Sequence, residues 1–172
     1  GQRLDATKVH LSDGRSLDAE PRLALMEGMA RLIGSMPRTQ GRVREVTPLL
    51  AALVAAPCEE LAALLRISAG GASADAAAVC VELVRAAFKF TDTFEPNADH
   101  PTLGALQASW PLLIETGRRF ASVKVASALA DVYSSAMVSL RQMLSAQLPQ
   151  ILTLMRDIFA ATPNTGPLRA VS

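Results

Sequence analysis

The side chains able to do chemistry in this 172-residue chain fall into a few small groups. Arg118 and Arg119 adjoin, and with Lys124 shortly after them they make the densest basic patch in the sequence. A guanidinium binds phosphate or carboxylate through two parallel hydrogen bonds from one planar fork, so this patch can contact an acidic partner. Basic residues at the C-terminal end of a helix also serve its dipole without any partner. The "GRVRE" stretch at 41–45 is a weaker case of the same kind. Glu59 and Glu60 put two carboxylates side by side, and directly after Pro57 they read as a solvated helix face. His100 precedes Pro101 and reads as a loop or capping residue, while His10 sits in a polar end segment and reads as solvated.

These groups do not assemble into a catalytic pattern. Cys58 and Cys80 form no Cys-x-x-Cys pair, and no histidine stands at metal-ligand spacing from them. They read as small buried hydrophobes in a reducing compartment. Gly70-Gly71 lacks the lysine or the glycine spacing of a phosphate cradle. No nucleophile is nominated as a partner for His100. The expectation is a protein that is not an enzyme and needs no metal or cofactor. Trp110, the single tryptophan, is followed at once by Pro111 inside an apolar stretch. A stacking platform asks for a second aromatic, and none lies close in sequence. Trp110 therefore reads as core filler between packed helices, and Pro111 as a helix bend.

Composition narrows the class further. Hydrophobic residues make up 50% of the chain and aromatic residues only 4%, so the core must be built from Ala, Leu, Val, Ile and Met. Basic and acidic residues number 17 and 16, which supplies no strong field for nucleic acid or an anionic membrane. No direct nucleic-acid or membrane partner is expected. The polar start "GQRLDATKVH" has no apolar signal core. The longest apolar run, Val46 to Cys58, is about 13 residues and short of the ~20 that span a bilayer. The expectation is a soluble protein. A start without Met and an end at "GPLRAVS", which reads as the opening of another helix, predict a segment of a longer chain.

Helical periodicity supplies the elements that must position these groups. A first helix opens at Asp18 and Pro21, carries Leu23, Met26, Met29, Ala30 and Ile33 on one stripe, and stops at Pro37. A second runs over about 42–68, kinked or split by Pro48 and Pro57, with Val46, Leu50, Leu53, Val54, Leu61, Leu64 and Leu65 inward. Ser73 caps a third that reaches Phe90. The fourth covers 101–118, with Leu103, Leu106, Trp110 and Leu113 spaced three and four apart. The fifth spans 122–144 and the sixth follows Ser145, with Ile151, Leu152, Met155, Ile158 and Phe159 as its stripe. Paired in order as 18–68, 73–118 and 122–161, they predict an all-α HEAT-repeat solenoid segment of about three antiparallel helix pairs. The second helices share an echo, "PLLAAL" at Pro48, "PLLIET" at Pro111 and "PQILTL" at Pro149. A compact helical bundle fits the same short loops.

The stretch "HPTLGALQASWPLLIET" resembles the His-Pro and Trp-Pro-x-Leu-x-Glu-Thr segment of the transportin-SR class of importin-β-like nuclear transport receptors, a class related to importin-13. "SLDAEPRLALMEGMARLIGSMP" and "VREVTPLLAALVAAPCEELAALL" are similar in register to the helices that precede it there. The resemblance implies stacked HEAT repeats with the first helix of each pair convex and the second concave. It further implies protein cargo on the concave side, Ran-GTP and Phe-Gly nucleoporins as partners of the full-length receptor, and shuttling between nucleus and cytoplasm. Arg118, Arg119 and Lys124 then become possible cargo contacts. One departure stands out: the family helix matching 122–144 is arginine-rich, whereas here it offers only Lys124 and Arg141. Arg-Ser-rich phosphorylated cargo is therefore not implied.

Overall fold

Apolar residues recurring every three to four positions form helices here, and six α-helices carry the fold in a computed structural model that describes residues 9–10, 16–36, 40–66 and 71–161. They are α1 (Ala19–Gly34), α2 (Gln40–Arg66), α3 (Gly71–Phe88), α4 (Pro101–Arg119), α5 (Val123–Leu140) and α6 (Leu148–Ala161). The expected all-α class holds among the described residues. One small departure precedes α1: β1 (Val9–His10) pairs antiparallel with β2 (Ser16–Leu17), two residues each. No alternating pattern in the sequence announces it.

Proline does not break the helices that contain it. Pro48 and Pro57 lie inside a continuous α2, and Pro111 lies inside α4. Each removes one backbone bond and crowds the carbonyl four residues back. Burial on both sides of each ring outweighs that cost: Val46, Leu50, Leu53, Val54, Leu61 and Leu64 are all in the core. α4 starts where His100 accepts a hydrogen bond from the Thr102 amide, with Pro101 at the first helical position. α5 starts where Ser122 Oγ accepts from the Val125 amide at 3.2 Å.

The helix contacts run in two series. α3 packs against both α1 and α5, and α4 packs against both α2 and α6. Across the series, α2 lies along α3 and α4 along α5 more extensively than the members of the sequence-order pairs lie on each other. One core cluster fills the space between, with Phe88, Phe94, Phe120 and Tyr133 as its buried large rings and Ala, Val and Leu as its bulk.

Several boundaries and faces differ from the periodic reading. α3 begins at Gly71, so Ser73 sits within its first turn, while Gly70 and Pro37 lie outside the described residues. Asp18 occupies the N-cap of α1 without a side-chain capping bond. α5 stops at Leu140, because Arg141 takes a left-handed φ of 49°, and a 3₁₀ turn over Arg141–Leu144 follows. That turn swings Leu144 into the core at 2% exposure. On α1, Arg22 is buried and Met29 faces outward. On α6 the buried stripe is Ile151, Leu154 and Ile158, while Leu152 is exposed and the Phe159 side chain lies outside the described set.

Two helical stretches, Val43–Arg66 and Val123–Leu144, are long and apolar enough by composition to cross a membrane. Each sends part of its large apolar side chains into the core just described, Val46, Leu50, Val54 and Leu61 from the first and Val125, Leu129, Val132 and Leu140 from the second, while Leu49, Val123, Met137 and Val138 stay exposed. The rest of α2's apolar character is supplied mainly by exposed alanines such as Ala51, Ala52, Ala55 and Ala56.

Candidate protein-interaction site on α4 and α6

The 3–4 spacing on α4 turns Leu106, Leu113 and Ile114 inward and leaves Trp110 half-buried beside them. The Trp110 ring lies 5.4 Å from the ring of Tyr133 on α5, tilted by 56°. Its Nε1 donates to Gln150 Oε1 on α6 at 3.3 Å. Tyr133 is thus the second aromatic that the sequence did not place near Trp110, and it arrives through the packing of α5 on α4. It is 1% exposed, its hydroxyl has no hydrogen-bond partner, and burial pushes its phenol well above the ordinary tyrosine pKa. Trp110 therefore joins three helices as a half-buried wedge.

Two turns further along α4, Gly117 lets α6 close in. A Cβ at Gly117 would stand 2.5 Å from Ile158 Cδ1 and 2.9 Å from Leu129 Cδ1. Beside that contact lies a groove of about 450 Å³, lined by Ile114, Arg118, Pro149, Leu154 and Asp157 as well as by Gly117 and Ile158. Its floor is apolar and its rim carries one charge of each sign. The arrangement suits a peptide or protein surface held by apolar contact with a charged edge.

The structure separates the basic patch of the sequence. Arg118 and Arg119 are exposed in the last turn of α4, and Arg118 lines the α4–α6 groove. Phe120, 3% exposed, anchors the turn, and the Ser122 amide donates to the Phe120 carbonyl at 2.8 Å as the chain reverses into α5. That reversal carries Lys124 to a different groove, of about 580 Å³, between α1, α3 and α5. There it pairs with Asp75 at 2.9 Å, with both side chains mostly exposed. A pair so exposed contributes little to stability.

Two buried polar clusters account for other residues singled out above. His100, 3% exposed, accepts from the Thr102 amide through Nδ1 at 3.2 Å. Nε2 is therefore the protonated nitrogen, donating to the Thr91 carbonyl at 3.2 Å. Desolvation lowers its pKa below the ordinary histidine value, partly opposed by the bond to Thr91. Thr91 Oγ1 also meets Ser139 Oγ at 3.0 Å, so this cluster ties the 89–100 loop to α5. The capping role expected of His100 is the one it has.

Glu60 behaves differently from the solvated face expected of it. It is half-buried and accepts from Arg22 Nη2 of α1 at 2.6 Å through Oε1, and from the Cys80 thiol of α3 at 3.6 Å through Oε2. Glu59 stays exposed. Burial pushes the Cys58 thiol up to about 11, and burial beside the Glu60 carboxylate pushes Cys80 higher still. Both thiols are thus held protonated, and Cys80 is fixed as a donor. One signal in the sequence foreshadowed the pair: Arg22 falls on the apolar stripe of α1, one position before Leu23.

Among the described residues, no three His, Cys, Asp or Glu side chains stand where they could share a metal ion. No protein-family model, curated protein or solved structure matches the chain.

Proposed function

We propose that this chain is part of an importin-β type nuclear transport receptor that presents a helical surface to protein cargo, acting by binding without chemistry. The observation that carries the reading is the sorting of the repeat echo. "PLLAAL", "PLLIET" and "PQILTL" fall on α2, α4 and α6, the three helices of one contact series, with Pro48, Pro111 and Pro149 all exposed. A stack of HEAT pairs has that organisation, with every second helix equivalent and each unit resting on its neighbours. The resemblance puts the second helices on the concave, cargo-binding side, which makes the α4–α6 groove with Arg118 the cargo contact and Arg119 its neighbour on the same helix. Lys124, on the other series, takes no part in that surface. Small rotations between units add along such a stack, so Ran-GTP bound elsewhere in the receptor can alter the cargo surface by changing its curvature.

Binding to immobilised Phe-Gly nucleoporin repeats tests the reading. The full-length chain carrying this sequence is expected to be retained and then released by free Phe-Gly peptide. Failure to bind would favour the second reading, a HEAT or armadillo-like scaffold unconnected with transport. The absence of an arginine-rich α5 gives that second reading its support.

A further inference from the structure

Among the described helices α1 packs on α3 and, less extensively, on α2, and it leaves a helix face open to solvent. That face consists of Pro21, Ala24, Leu25, Gly28, Met29 and Leu32, all exposed, and none of them is charged. Leu25, Met29 and Leu32 are 55%, 45% and 68% exposed. A Cβ on Gly28 would meet nothing within 4 Å, so the middle of the face is an open notch. Its small residues, Pro21, Ala24 and Gly28, lie toward the start of the helix and its large ones, Leu25, Met29 and Leu32, toward the end. Large exposed side chains beside a notch are what one helix offers to another.

We propose that this face pairs with α1 of a second copy of the chain, antiparallel about a twofold axis at the helix midpoint. The register selects that partner. With the axis between residues 26 and 27, the centre of Ala19–Gly34, Leu25 stands opposite the second copy's Gly28. In the same register Met29 stands opposite Ala24, and Leu32 opposite Pro21, so every large side chain meets a small one. Glu20 comes within about 3 Å along the axis of Arg31 in the second copy, from the helical rise of ~1.5 Å per residue. Arg31 is braced there by the Phe90 ring, 4.9 Å from its guanidinium carbon. The antiparallel arrangement also sets opposite ends of the two helix dipoles together.

The other end of the molecule matches this face less well. Its exposed apolar residues include Val123, Met137 and Val138 on α5 and Leu148 and Leu152 on α6, and the two most exposed, Val138 and Leu152, share their faces with Asp131 and Arg156. Seating those charges on the uncharged α1 stripe would desolvate them without partners. A single helix pair buries less than the ~1,200 Å² of a standard stable interface, so the dimer is a weak one. In a longer HEAT stack a preceding unit would compete for this face, so the dimer is inferred for the 172-residue chain and its test is separate from that of the transport reading.

Sedimentation equilibrium of the 172-residue chain, from about 5 to about 300 µM, tests it over the range where weak interfaces populate. The apparent mass should rise from 18.2 kDa toward twice that value and stop. Gly28→Leu fills the notch and should raise the dissociation constant by about tenfold or more. The same variant should raise the melting temperature at low concentration, because leucine favours a helix over glycine. Dimer loss with gain of fold stability cannot come from unfolding. A monomer across the whole range would overturn the proposal. So would growth past the dimer, which would mean contact through the α5–α6 end, or a dimer that Gly28→Leu leaves intact.

Discussion

Glu60→Ala should be among the most damaging single changes in the molecule, and its cost can be worked from the pair it breaks. The Arg22 side chain retains 4% exposure and Glu60 26%, so Arg22 is the sealed member. Removing one partner of a buried ion pair costs about 3–5 kcal/mol when the survivor is cut off from water. Loss of Glu60 takes the carboxylate at 2.6 Å from a nearly sealed guanidinium and also removes the acceptor for the Cys80 thiol, so about 3 kcal/mol is expected. Arg22→Met should cost less, about 1–2 kcal/mol, because Glu60 still reaches solvent. The double variant Arg22→Met with Glu60→Leu should fall near the parent, since apolar groups of similar size relieve both desolvation penalties. Urea unfolding reads all three through the shift of midpoint at constant slope. A Glu60→Ala loss below about 1 kcal/mol would refute the reasoning, as would a double variant less stable than Glu60→Ala alone.

The remaining predictions concern the loop cluster, a close approach and the thiols. Because the folded state lowers the pKa of His100, the unfolded chain binds more protons below the ordinary histidine value. Its contribution is complete above about pH 6.5 and is lost as pH falls from there toward the depressed folded pKa. His100→Asn, which keeps an acceptor for the Thr102 amide, should flatten urea stability over that interval. Gly34→Ala should cost about 2 kcal/mol, because its Cβ would collide with the Phe90 carbonyl oxygen and Cβ, and calorimetry would show it. With Cys58 at about 11, only about one molecule in a thousand is thiolate there at pH 8, and fewer at Cys80. A thiol-exchange reagent should therefore count no fast thiols in the native protein and both in denaturant.

Legibility in the sequence followed the range of the interaction. Helix positions came from local periodicity, so Val46, Leu50, Leu106, Leu113 and Ile158 declared their buried faces in advance. Features set by long-range packing did not. Tyr133 meets Trp110 only once α5 lies on α4, and Glu60 turns inward only because Arg22 and Cys80 converge on it from α1 and α3. The basic patch looked continuous because Arg118 and Lys124 are close in sequence, but the reversal at Phe120 places them on different grooves. Pro48 and Pro57 suggested a broken helix, and the core contacts flanking them carry α2 through. Arg141 gave no signal at all, since nothing in its type favours a left-handed φ.

A transport receptor must distinguish the two nucleotide states of Ran. The full-length chain carrying this sequence would be immobilised and exposed to Ran loaded with GTP or with GDP. Retention of Ran-GTP and not of Ran-GDP is expected. Equal retention of both forms, or of neither, would contradict the transport reading.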